Sequence, residues 1–153
     1  MDWIMELLTN PFLITSLSSW LIAQVLKTII HAVLNKSLDI TRLVGDGGMP
    51  SGHSATVTSL AAITGLIYGP TSFEFAMSAI FAIVVCHDAM GVRLETGKQA
   101  VILNEMIEII EAMTREDLPE VKLKEFVGHS PIQVAAGVLL GIANACFMYF
   151  FVL

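Results

Sequence analysis

Long apolar runs separated by short polar turns set the layout of this chain. They lie at about residues 11–34, 54–69, 73–89 and 131–153. A helix that crosses hydrocarbon needs about 20 apolar residues, with a range of about 17–25, so the pattern predicts four spans. Pro131 suits a helix start. Gly137, Gly141 and Ala145 recur every four residues in the last run, a stripe of small side chains suited to close helix packing. The 54–69 run is rich in Ser and Thr, whose hydroxyls can bond neighbouring helices inside a bundle. Between the third and fourth runs lies a polar stretch, 91–128. Leu103, Met106, Ile107, Ile110 and Met113 share one helical face there, with Glu105, Glu108 and Glu111 on other sides. This predicts an amphipathic helix, packed on the bundle or a partner chain or acting as a lid, and broken near Arg115–Pro119. The expected fold is an all-α integral membrane protein. It has about four transmembrane helices plus an amphipathic cytoplasmic helix, in one domain over residues 1–153.

Composition supports the membrane reading. The chain is 55% hydrophobic and 14% charged, against roughly 25% charged in soluble domains. Its net charge of −6 and lack of a basic stripe exclude nucleic-acid binding. An acidic amphipathic helix is also not a basic membrane-surface helix. Cys86 and Cys146 fall in apolar runs and read as small hydrophobes, not a disulfide. Six residues separate Cys86 from Arg93 where a cysteine-phosphatase loop has five, so that chemistry is rejected. Residues 1–10 are acidic and no small-residue cleavage pattern follows, so the first run reads as a retained span and not a signal peptide. With four spans, the 35–53 loop and the 90–130 stretch share one side. Lys36, Lys98, Arg115, Lys122 and Lys124 fall there, and no Lys or Arg falls on the other side. The positive-inside rule makes that side cytoplasmic and both termini external. The expected location is the inner (plasma) membrane, multi-pass.

Candidate chemistry gathers on the same side. Gly48-Met49-Pro50-Ser51-Gly52-His53-Ser54 opens the second span. A glycine-rich turn at a helix start presents free N–H groups and the positive end of the helix dipole, which suits a phosphate. Ser51 adds a hydroxyl, and His53 a group that exchanges protons near neutral pH. Lys27 lies within the first span, where a charge is costly and points to function, or else snorkels to the surface. Arg42, in the following loop, either clamps a phosphate or is a positive-inside charge. Asp88 and Arg93 close the third span. They form either a structural ion pair or a phosphate clamp in which Asp88 orients Arg93. His31 and His87 read as packed or interfacial. Gly128-His129-Ser130-Pro131 opens the fourth span, so His53 and His129 occupy two helix mouths on one side. Such a pair can divide nucleophilic attack from protonation of a leaving oxygen.

These residues resemble the type-2 phosphatidic acid phosphatase superfamily, which includes vanadium haloperoxidases. The similarity is closest to its divergent membrane branch. It is carried by Gly47-Gly48-Met49-Pro50-Ser51-Gly52-His53-Ser54, Asp88-Ala89-Met90-Gly91-Val92-Arg93 and Gly128-His129-Ser130-Pro131, and covers about residues 27–137. The resemblance implies Lys27 as a phosphate-binding lysine and Ser51 and Gly52 as the phosphate loop. It implies His53 as the acid and His129 as the nucleophile forming a phosphohistidine. It implies no metal and no cofactor. Its substrate would be an anionic lipid phosphate or pyrophosphate at the bilayer. The chain departs from the superfamily pattern at Leu34-Asn35, where Arg-Pro is expected, at Leu123, where an arginine is expected, and at Gln133, where an aspartate is expected. Arg42 and Arg93 can replace the arginines, and Glu125 or Asp88 the acid. The alternative is a phospholipid- or polyprenyl-phosphate-binding or transport protein that keeps the pocket without the reaction. A homodimer through the Gly137/Gly141/Ala145 face is a further expectation.

Overall fold

A computed structural model describes residues 2–36, 48–114, 123 and 128–153. Its elements are α1 (Asp2–Leu8), α2 (Pro11–Asn35), α3 (Gly52–Tyr68), α4 (Phe73–Met90), α5 (Val92–Thr114) and α6 (Pro131–Phe151). α2, α3, α4 and α6 each start at a capping side chain. The Asn10 side chain accepts from the Phe12 and Leu13 N–H groups and Pro11 follows it. Ser51, Ser72 and Ser130 cap α3, α4 and α6 in the same way. Such caps pair N–H groups that have no partner inside the helix. Among the described residues there is no strand. The protein is an all-α membrane protein.

Among the described residues three helices are long and apolar enough to cross a membrane: α2, the α4–α5 pair counted together over residues 73–113, and α6. α3, expected from the sequence to be a fourth span, has 17 residues, the lower end of the spanning range, and is not among these three. α3 nevertheless runs alongside the others. Phe12 stacks on Tyr68 at one end of the α2–α3 pair, and the Lys27 stem lies against Gly48 at the other. α2 and α3 are therefore antiparallel. α4 is antiparallel to α3, with Phe75 against Gly65. α6 is parallel to α3, with Gly137 at Ser51 and Gly141 at Ala55.

The interior is polar and small, and the outside is apolar. Ser19, Ser51, Ser54 and Ser59 are fully buried beside Ala23, Ala55 and Ala145, whereas Leu17, Ile80, Ile83, Leu139 and Phe150 are exposed. A water-soluble core is arranged the opposite way. In lipid, where tails solvate leucine as well as a core does, close contact of small residues and hydrogen bonds hold helices together. Asn144 shows this: its Nδ2 donates to Thr15 O at 3.2 Å, Ser18 Oγ at 3.0 Å and Ser19 Oγ at 2.8 Å, tying α6 to α2. α5 follows α4 after the single residue Gly91, and its Leu103, Met106, Ile110 and Met113 are exposed. Asn104, on another side of that helix, exchanges two hydrogen bonds with the Leu123 backbone. The expected amphipathic helix is therefore present, with its apolar face open. The expected break at 115–119 lies outside the described residues.

A side chain at Gly141 would put its Cβ 2.5 Å from Ala55 O, and one at Gly137 would come within 2.5 Å of Ser51 O. Backbone cannot yield there as a flexible side chain can. Gly141→Val is expected to lower stability by about 1–3 kcal/mol, read as the shift of the unfolding midpoint in detergent micelles. An unchanged midpoint would show that close α3–α6 contact does not hold the bundle.

Candidate functional site

The site lies where the C-terminal ends of α2 and α4 meet the N-terminal ends of α3 and α6. Gly48 has φ +85°, a left-handed conformation that favours glycine. A Cβ there would also meet Lys27 Cγ at 3.0 Å. Lys27 is 5% exposed, its stem laid on the turn. The Ser51 hydroxyl is fully buried and accepts from Ser54 N at 3.3 Å and Ser54 Oγ at 3.0 Å. Its lone pairs are thus taken up in starting α3. Gly52 is the first residue of that helix, and its Cα faces Trp20 and Gln24 on α2.

The two histidines meet. The rings of His53 and His129 lie with centres 5.9 Å apart and planes tilted by 59°. Three contacts bring them together across different helices. Ser51 N donates to Gln133 O at 3.0 Å, joining the two helix mouths. His129 N donates to Ala89 O at 2.9 Å, joining the α6 mouth to the end of α4. Gly128, with φ +88°, packs so closely on the Arg93–Leu94 backbone that a Cβ would lie 2.4 Å from Leu94 N.

The partner of His129 is the residue that departs from the superfamily pattern. Gln133 Oε1 lies 3.3 Å from His129 Nδ1 and accepts from Ser130 N at 3.0 Å. The second bond identifies that atom as the oxygen, so it can accept only from a protonated Nδ1. In the neutral imidazole this arrangement leaves the lone pair on Nε2, the state a nucleophilic imidazole needs. Gln133 supplies orientation without negative charge.

Asp88 and Arg93 form an ion pair at 3.3 Å with both side chains about half exposed, at 49% and 46%. Pairs of this exposure contribute about 0–1 kcal/mol, so little holds Arg93 in place against a better anion. Arg42 lies outside the described residues, as does Glu125. His87 is exposed at the end of α4, and His31 is partly buried with its Nδ1 lacking a hydrogen-bond partner. Cys86 and Cys146 are free thiols. Among the described residues no three His, Cys, Asp or Glu side chains converge to hold a metal ion.

Sequence reasoning missed Gln24, which is 5% exposed and one turn before Lys27. An amide inside an apolar run, three residues from an equally anomalous lysine, was the available signal. An apolar groove of about 380 Å³ also escaped it. Thr58, Ala61, Ala82, Cys86 and Ile142 are among the residues lining it between α3, α4 and α6. Its Cys86 end lies one turn from Ala89, the carbonyl that holds His129.

The protein is thus a helical membrane bundle that gathers a buried lysine, a glycine turn at a helix start and two facing histidines at one end. The sequence pattern of the Divergent PAP2 family matches residues 8–144, and the chain belongs to that family. It is 40% identical over 156 residues to the uncharacterized membrane protein YuiD of Bacillus subtilis (strain 168), covering 96% of this chain and 99% of that protein. No solved structure matches.

Gln133→Leu is expected to cost about 1 kcal/mol through loss of the α6 cap. It should also leave the His129 ring as a mixture of tautomers, read from the ¹⁵N shifts of its two ring nitrogens. A single unchanged tautomer would show that Gln133 does not set it.

Proposed function

We propose that this protein is a metal-independent lipid phosphate, or pyrophosphate, phosphatase acting at the cytoplasmic membrane face. The approach of His53 to His129 across two helix mouths carries this reading. His129 Nε2 attacks phosphorus and forms an N–P bond as the P–O bond to the lipid breaks. A protonated His53 transfers its proton to the departing lipid oxygen. Water then attacks the phosphohistidine, losing a proton to the now neutral His53. The N–P bond breaks and inorganic phosphate leaves. Lys27, the Gly48–Gly52 loop and Arg93, released from Asp88, face the charge that develops on the equatorial oxygens. The apolar groove between α4 and α6 receives the lipid tail, so the substrate enters sideways from the bilayer.

In this reading α3 also crosses the membrane, returning beside α2 along its length. The resulting four-pass topology puts both termini outside, in the plasma membrane. An alkaline phosphatase fused to the C-terminus is expected to be active and a fluorescent protein fused there dark. The reverse pattern would overturn the topology.

One observation favours a second reading. Gln133 stands behind His129 where a carboxylate would stabilise the imidazolium that forms during turnover. A protein with this substitution is suited to bind or carry a lipid phosphate without cleaving it. Phosphate release from a panel of lipid phosphates decides between the two. The phosphatase reading expects release that resists EDTA, is blocked by vanadate, and falls at least about 10³-fold in His53→Ala and His129→Ala. Saturable binding without release would select the carrier. Release unchanged in His129→Ala would remove the phosphohistidine mechanism.

A further inference from the structure

Gln24 is a buried polar group that the proposed reaction does not use. It is 5% exposed, and its Oε1 has no hydrogen-bond partner. A Cβ on Gly52 would meet Trp20 Cδ1 at 3.5 Å, Gln24 Oε1 at 3.7 Å and Trp20 Nε1 at 3.8 Å. The Gln24 oxygen therefore faces the first residue of α3, at the helix end that attracts anions. Donors lie nearby: the indole N–H of Trp20 beside the same Gly52 position, the N–H of Gly52 at the start of α3, and Lys27 three residues further along α2. Gln24 Oε1 is an acceptor set among donors.

An unpaired acceptor in a water-poor bundle is costly. A ligand that relieves it must give a hydrogen bond to Gln24 while accepting from its neighbours. A phosphate monoester or a diphosphate does both, because it retains a P–OH whose last ionisation falls near pH 6. A phosphodiester has no P–OH and leaves Gln24 unpaired. The surrounding bilayer is made largely of diesters, so the site faces them in great excess.

We infer that Gln24 is a specificity-determining residue of this site, taking a hydrogen bond from the P–OH of a phosphate monoester or diphosphate and thereby disfavouring phosphodiester lipids. The inference rests on the anion-site reading above but not on turnover. It also predicts a signature that a merely structural glutamine would not give. Removing an acceptor that has no partner relieves the ligand-free protein while weakening the ligand.

The test is equilibrium binding at pH 6 of two short-chain probes, dioctanoyl phosphatidic acid as monoester and dioctanoyl phosphatidylglycerol as diester. Both are measured on purified full-length wild type, Gln24→Met and Lys27→Met, with the melting temperature of each ligand-free protein. Gln24→Met should melt a few degrees higher than wild type, bind the monoester about tenfold more weakly, and bind the diester unchanged. A lower melting temperature would make Gln24 a structural residue and overturn the inference. So would equal weakening of both lipids, which would make the carboxamide a donor to any phosphate. If wild type binds the monoester, Lys27→Met abolishes that binding and Gln24→Met keeps the full preference, the Gln24 assignment falls alone. If wild type binds neither probe, the anion-site reading itself falls.

Discussion

The close approach of α3 to α6 is the contact on which the rest of this structure depends. Glycine at 137 and 141 lets the Ser51 and Ala55 carbonyls come to distances that any side chain would forbid. That approach places Ser51 N on Gln133 O and so sets the two helix mouths side by side. It is what turns two histidines separated by 75 intervening residues (129 − 53 − 1) into a ring pair 5.9 Å apart. Displacing one helix by a single turn would shift it about 5.4 Å along its axis, comparable to the whole separation of the rings.

The solvent explains the rest of the arrangement. In hydrocarbon, exposed leucine costs nothing, and buried leucine on leucine gains little. The bundle instead buries serine, alanine and asparagine, and pairs the polar ones with backbone and with one another. Asn144, with three acceptors on α2, is the clearest case. Against that background an unpaired buried group stands out. Thr15 Oγ1 lies fully buried at the far end of α2 and His31 Nδ1 one turn beyond Lys27, whereas Gln24 Oε1 lies at the start of α3. Position separates these three: of them, Gln24 is the one that lies against the first residue of α3.

The Gln133 substitution changes what the site can do. A carboxylate behind an imidazole both orients the ring and stabilises its positive form, and these two roles are separable. Gln133 performs the first through its oxygen, which also caps α6. It cannot perform the second. Compensating charge in this protein would have to come from elsewhere around the ring, and Asp88 is engaged with Arg93. Under the proposed function, the balance between catalysis and simple binding rests on that electrostatic difference, since the positions of the histidines suit both readings.

Much of the fold was legible in the sequence. The apolar runs gave the long helices because hydrocarbon requires continuous apolar length, and Asn10, Ser51, Ser72 and Ser130 gave their starts because caps act locally. The sequence also determined which residue types were anomalous: Lys27 within a span, His53 and His129 at helix mouths, Gln133 in place of a carboxylate. It could not show that Gln24 faces Gly52, that Gly137 receives Ser51, or that an apolar groove opens between α4 and α6. Those facts depend on the rotation and depth of one helix against another. Hydropathy carries little information about either inside a membrane, where every outward face reads alike. Tertiary structure decided them, because backbone contact at two glycines admits only one register of α3 on α6.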